Sequence, residues 1–249
     1  MGKKIVIIIG AILVLDQLIK IWVKTSMVPN GSINVIDGFF QLYYTENRGM
    51  AFGATLGGGI WAKYALSFFR LGAIVGIAWY LRNLVRENQS PKGLLIAVAL
   101  VFAGATGNLI DGAFYDLIWS LDPDISWNWA MDGDRNILLD PLTDDIMMRP
   151  NGFMLGSVVD MFQFTSTYPS WMPVLDLNLP AFLGGANIID IYPGKEIFGA
   201  IWNFADLSIS VGVGLIIFRY RKFFRRPVPL KEDQSNEHLA LTESDENQS

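Results

Sequence analysis

The chain has 249 residues, 51% of them hydrophobic and only 17% charged, with a formal charge of −5. Soluble domains carry about 25% charged residues, so this balance marks a membrane protein. It has no Cys and one His, His238, in a polar tail, which excludes disulfides, thiol nucleophiles, a Ser-His-Asp triad and a two-His zinc motif. No basic stripe with interleaved aromatics is present, so nucleic acid is not an expected partner.

Four apolar stretches reach or approach the ~20 residues that a helix needs to cross a bilayer: residues 5–23, 60–81, 93–110 and 200–218. Lys3 and Lys4 precede the first. No small-residue cleavage site follows it, so it is expected to stay as an anchor. Inside it, Asp16 and Lys20 are four residues apart and share a helix face, where they can pair. Such a pair serves packing or register as readily as function. The loop that follows contains Asn47-Arg48-Gly49-Met50-Ala51-Phe52-Gly53, which fits either a turn or a segment that grips an extended peptide.

Arg82, Arg86 and Lys92 link the second stretch to the third. In the third, Gly104, Ala105 and Gly107 allow a neighbouring backbone to approach closely. Asn108 and Asp111 follow, three residues apart and on one face. The segment 112–199 is acidic, with eleven Asp and Glu196 against Arg135, Arg149 and Lys195. Its Trp119, Trp127, Trp129 and Trp171 fit either a platform at headgroup level or a plain loop decoration. Asp132-Gly133-Asp134-Arg135-Asn136 has the look of a calcium loop, but Ile137 and Thr143 stand where Gly and an acidic ligand are needed, so no metal is expected.

Asp160 ends Gly156-Ser157-Val158-Val159-Asp160, and Asn203-Phe204-Ala205-Asp206 opens the fourth stretch. A carboxylate at the mouth of a span is costly unless paired or wet, so both acids read first as functional. Arg219, Arg221, Lys222, Arg225 and Arg226 follow. The Lys and Arg clusters lie on one side only if the chain crosses four times with both termini in the cytoplasm. The expected fold is an all-α membrane protein of four transmembrane helices, with extracytoplasmic loops that have room for a small β-rich platform. Residues 1–226 form the membrane domain, and 227–249 a disordered tail.

These residues resemble the lipoprotein signal peptidases of bacteria, the type II signal peptidases. The resemblance is carried by five blocks in order: Asp16-Gln17-Leu18-Ile19-Lys20, Asn47 to Gly53, Gly104-Ala105-Thr106-Gly107-Asn108-Leu109-Ile110-Asp111, Val158-Val159-Asp160, and Asn203-Phe204-Ala205-Asp206. It implies that Asp160 and Asp206 are the catalytic pair. It implies that Asn47, Gly49, Asn108, Asp111 and Asn203 line or support the site, and that Asp16 with Lys20 is a supporting pair. It also implies substrates that are diacylglyceryl-modified prolipoproteins, contact with membrane lipid, no cofactor, and an inner-membrane enzyme with its site near the extracytoplasmic face. A monomer is the economical expectation. Two departures stand out: Gly112 occupies the place of the family's usual Arg, and the segments 115–158 and 162–202 are extended. Arg135 or Arg149 could supply the missing guanidinium.

Two nearby carboxylates share one proton over a wide pH range and titrate as a unit. One can then take a proton from water while the other hydrogen-bonds the scissile carbonyl. Three rival readings use the same residues: an ion-coupled carrier, a Ser-Lys peptidase and a non-catalytic assembly factor. Acids gathered at one interface, the absence of repeats, and the off-face spacing of Ser26 from Lys20 count against the first two.

Overall fold

The computed structural model describes residues 2–48, 60–87, 90–131, 136–178, 187–221 and 223. Helix α1 spans Gly2–Ser26, α2 Ile60–Glu87, α3 Lys92–Ile118 and α4 Phe204–Leu215. Strands β1 (Ser32–Ile36), β2 (Phe40–Asn47), β3 (Val158–Phe164) and β6 (Ile201–Trp202) form an antiparallel sheet in the order β1-β2-β3-β6. Strands β4 (Leu175–Asn178) and β5 (Asn187–Ile191) pair separately. The fold is thus mostly helical, with a small antiparallel sheet beside the helices.

The molecule is inverted relative to a soluble domain. Val6, Ile7, Val14, Leu18 and Trp22 of α1 and Trp61, Phe69, Val75 and Trp79 of α2 are exposed, while Asp16, Lys20, Asp111 and Asn203 are 0% exposed. Water would penalise that apolar surface; hydrocarbon does not. Two apolar clusters close the bundle's ends. One joins Ile5, Leu81, Leu84, Leu94 and Leu95. The other joins Val23, Met27, Tyr44, Tyr115, Val159 and Met161. The polar residues lie between them.

Three helices, α1 to α3, are long and apolar enough to cross a membrane among the described residues. The fourth expected span, 200–218, is corrected in its register. Ile201 and Trp202 pair with Gln163 and Phe162, Asn203 caps α4, and the 12-residue helix continues as a five-residue π-type turn, Ile216–Tyr220. The cap sets this start: the Asn203 side chain accepts from the Asp206 backbone N–H while the Asp206 carboxylate accepts from that of Asn203. Such a cap contributes about 1 kcal/mol. A second correction concerns the long segment 112–199. Its first residues continue α3 to Ile118, so Gly112 is helical and Asp116 lies one turn beyond it.

Small residues bring the helices together. A Cβ on Gly107 would fall 2.6 Å from Asp16 Oδ2, and one on Gly212 of α4 would fall 2.6 Å from Ala97 O of α3. Of the four tryptophans read as either a platform or a loop decoration, Trp119 stacks edge-on to Tyr115, with ring centroids 4.8 Å apart, and Trp127 packs on Tyr44 at 5.5 Å. Both pack on the apolar cluster that contains residues of the helices and of the sheet. Trp171 remains 79% exposed.

Candidate active site

Strand β3, the N-terminus of α4 and the middles of α1 and α3 meet at one buried point. Asp160 comes from β3, where it stands opposite Thr45 of β2. Asn203 Nδ2 donates to Asp160 Oδ1 at 2.6 Å and to Asn108 Oδ1 at 3.2 Å. Asn108 Nδ2 donates to Asp206 Oδ1 at 2.8 Å. The two carboxylates are therefore joined by two carboxamides. Asn47, at the end of β2, adds a side-chain hydrogen bond to Asp160.

The orientation of each amide follows from its neighbours. An ammonium donates only, and Lys20 Nζ donates to Asn108 Oδ1 at 2.9 Å. Asn108 must then turn its NH₂ toward Asp206. Likewise the Asp206 backbone N–H donates to Asn203 Oδ1 at 2.9 Å, so Asn203 turns its NH₂ toward Asp160. Each carboxylate receives a carboxamide N–H on Oδ1, and Asp206 Oδ2 also accepts from the Asn203 backbone N–H at 3.3 Å.

Lys20 also pairs with Asp16 Oδ2 at 2.9 Å and Asp111 Oδ2 at 2.7 Å. Asp16 Oδ1 accepts from the Ala205 backbone N–H at 2.9 Å, which ties the start of α4 to α1. Gln17 Nε2 donates to Asp111 Oδ1 at 2.9 Å and to Asp16 Oδ2 at 3.1 Å, and Gln17 Oε1 accepts from Tyr115 Oη at 3.2 Å. Hydrogen bonds to charged groups contribute about 1.5–3 kcal/mol each, and far more is lost when a buried one is left unmade. Burial, with the charge of Asp206 second, pushes the Asp160 carboxyl up to about 7, against the hydrogen bonds from Asn203 and Asn47.

The structure thus brings together Asp160, Asp206, Asn203, Asn108, Lys20, Asp16 and Asp111, with Asn47 at the edge. Asp111 sits on Lys20 and accepts from the Val159 backbone N–H at 3.4 Å, a step removed from the paired acids. Gly49 to Gly53, Asp132 to Arg135 and the tail 227–249 lie outside the described residues. Arg149 binds Asp116 through two parallel contacts of 2.7 and 2.9 Å, so the long segment delivers a guanidinium one turn beyond Gly112. Sequence reasoning passed over Gln17, although it stands three residues before Lys20 and so near the same face. It also passed over Arg70, whose charge acts on Asp206. An arginine inside the second apolar stretch was the available signal.

A helical membrane bundle whose buried polar centre holds two amide-bridged aspartates, with no Cys in the chain and its one His in the tail, has the character of a membrane aspartic peptidase. The chain matches the model of the family described as Signal peptidase (SPase) II over residues 8–222. It is 34% identical to a lipoprotein signal peptidase of Porphyromonas gingivalis over 227 residues, covering 88% of this chain and 83% of that protein. It is 29% identical to one of Amoebophilus asiaticus, covering 93% and 81%. The chain belongs to the signal peptidase II family of aspartic peptidases. A solved bacterial membrane enzyme has a similar fold, with a TM-score of 0.50 at 21% identity over 93% of this chain and 95% of that one.

Proposed function

We propose that Asp160 and Asp206 are the catalytic pair of a lipoprotein signal peptidase that cleaves prolipoproteins before their diacylglyceryl-modified Cys. The observation that carries this reading is the amide ladder, Asp160–Asn203–Asn108–Asp206. It ties two acids into one buried polar network, in which the charge of Asp206 acts on Asp160, inside a family of aspartic peptidases.

The shared proton resides on Asp160, whose carboxyl is pushed up to about 7. Asp206 takes a proton from the attacking water. The protonated Asp160 hydrogen-bonds the scissile carbonyl oxygen as negative charge develops there. Water adds to the carbonyl, the C–N bond breaks, and the proton held by Asp206 passes to the leaving amine. No covalent enzyme intermediate forms. Asn47 and Asn108 have the placement to orient substrate backbone.

Lys and Arg clusters support four crossings with both termini cytoplasmic, in a bacterial inner membrane. The fourth crossing, α4 with its π-type turn, is about 25 Å long at ~1.5 Å per residue, short of the ~30 Å hydrocarbon core. Its N-terminus, with Asp206, then sits slightly below the extracytoplasmic surface. Each buried CH₂ of the substrate's acyl chains contributes about 0.8 kcal/mol, which holds the scissile bond at that depth.

The pH profile tests the proton assignment. One protonated and one ionised carboxyl are required, so kcat/KM on a lipidated precursor is expected to fall about tenfold per pH unit above pH ~7, as the second proton leaves the pair. A rate that stays level to pH 9 would remove the protonated carboxyl from the mechanism.

A further inference from the structure

Helix α2 turns cations toward the sheet end of the bundle. Lys63, Ser67 and Arg70 follow the three-and-four spacing of one face. Ser67 Oγ donates to Met154 O at 2.9 Å, which seats this face against the loop after Arg149. Lys63 Nζ is buried there with no hydrogen-bond partner among the described residues. The charges acting on it are Arg149, Arg48 and Arg70, opposed by Asp116. That carboxylate is occupied, since both its oxygens receive Arg149. Arg48 donates to the uncharged Trp129 O at 3.2 Å, and Arg149 Nε is buried with no acceptor among the described residues. The corner therefore has donors in excess of acceptors among the described residues. Two neighbouring stretches lie outside the described residues: 49–59, which contains no Asp or Glu, and 132–135, which contains Asp132 and Asp134.

A buried ammonium costs several kcal/mol unless a counter-charge hydrogen-bonds it, and no described carboxylate does so for Lys63. Lys63 also stands in the first turn of α2, where the helix dipole adds positive potential. Such a corner calls for an anion with several oxygens. The depth points to its source. On the opposite face of the same turns, Trp61, Tyr64, Ala65 and Phe68 form an apolar groove, with Trp61 81% exposed. Trp and Tyr settle at headgroup level, where lipid phosphates are concentrated. We propose that Lys63, Arg48 and Arg149 form a binding site for a phosphate oxyanion, supplied by the headgroup of an anionic membrane lipid. The site does not depend on the role of the paired aspartates.

The test compares melting of the full chain in detergent for wild type, Lys63→Met and Lys63→Arg. Each is measured with phosphatidylglycerol, phosphatidylcholine, inorganic phosphate or no addition. Without lipid, Lys63→Met is expected to melt higher than wild type, because an unpaired buried charge has been removed. With phosphatidylglycerol the order reverses, and Lys63→Arg keeps the gain. Wild type is expected to half-saturate at about tenfold less phosphatidylglycerol than Lys63→Met, the scale of one charge-assisted contact. Arg48→Gln, at a strand end, is expected to lose part of the same gain and replaces Lys63→Met if that variant does not fold. Equal shifts in wild type and variants, or no shift in wild type, would overturn the site. A gain reproduced in full by inorganic phosphate would overturn the lipid as its source.

Discussion

Asp160→Asn and Asp206→Asn are each expected to lower cleavage of a lipidated precursor by about a thousandfold, within the range that general acid or base groups supply. The substitutions are nearly isosteric, so the loss reports chemistry. Residue 160 would still present an oxygen to Asn203 Nδ2, which donates to it at 2.6 Å. Residue 206 would lose the bond that its carboxylate accepts from the Asn203 backbone N–H, a change of about 1 kcal/mol in the α4 cap. Both proteins are therefore expected to fold, with Asp206→Asn melting slightly lower. The double variant is expected to be no slower than either single one, because two groups that share a proton act as a unit. Steady-state turnover of purified variants, read with their melting curves, checks all three statements. Activity within tenfold of wild type in either single variant would exclude that residue from the chemistry.

Lys20→Met is expected to be the most destabilising single change, by about 3–5 kcal/mol. The lysine is 0% exposed, and so are its partners Asp16 and Asp111, at 2.9 and 2.7 Å. Removing it leaves two buried carboxylates facing each other without a cation. The damage extends to the site. Lys20 fixes Asn108 with its NH₂ toward Asp206, and without it that amide is free to turn over. Lys20 is in this sense a positioning residue. Adding Asp111→Asn to Lys20→Met is expected to recover part of the stability, because one of the two stranded charges is then neutral. Thermal unfolding of the two single variants and the double one measures the coupling. A Lys20→Met protein that melts with wild type would show that the triad contributes nothing to holding α1 against α3.

The sequence revealed what rests on spacing along one helix and on apolar length. Asp16 with Lys20, Asn108 with Asp111, and the three long helices are of that kind. Asn203 with Asp206 was legible as a same-face pair, yet the pair turned out to be a reciprocal cap. The run before it was misread as helix because Ile201 and Trp202 are apolar in either conformation, and periodicity cannot separate short buried strands from helix. The extension of α3 past residue 110 was hidden for the opposite reason. Asp111 and Asp116 look like the start of an acidic loop, but Lys20 and Arg149 neutralise them. Neither partner is near in sequence. The register that puts Thr45 opposite Asp160 is likewise a long-range fact, set by pairing between β2 and β3. The family blocks identified the two aspartates without any of this geometry. The geometry adds which amide faces which acid, and what fixes it there.

The central claim is that this site hydrolyses a peptide bond that a lipid anchor has brought to it. The most direct measurement supplies purified wild type with a prolipoprotein carrying a diacylglyceryl-Cys, and with the same precursor lacking the lipid, and identifies the new N-terminus. The account predicts cleavage of the lipidated precursor immediately before the modified Cys, with the non-lipidated one turned over far more slowly. Equal turnover of the two precursors, or none of either, would contradict it.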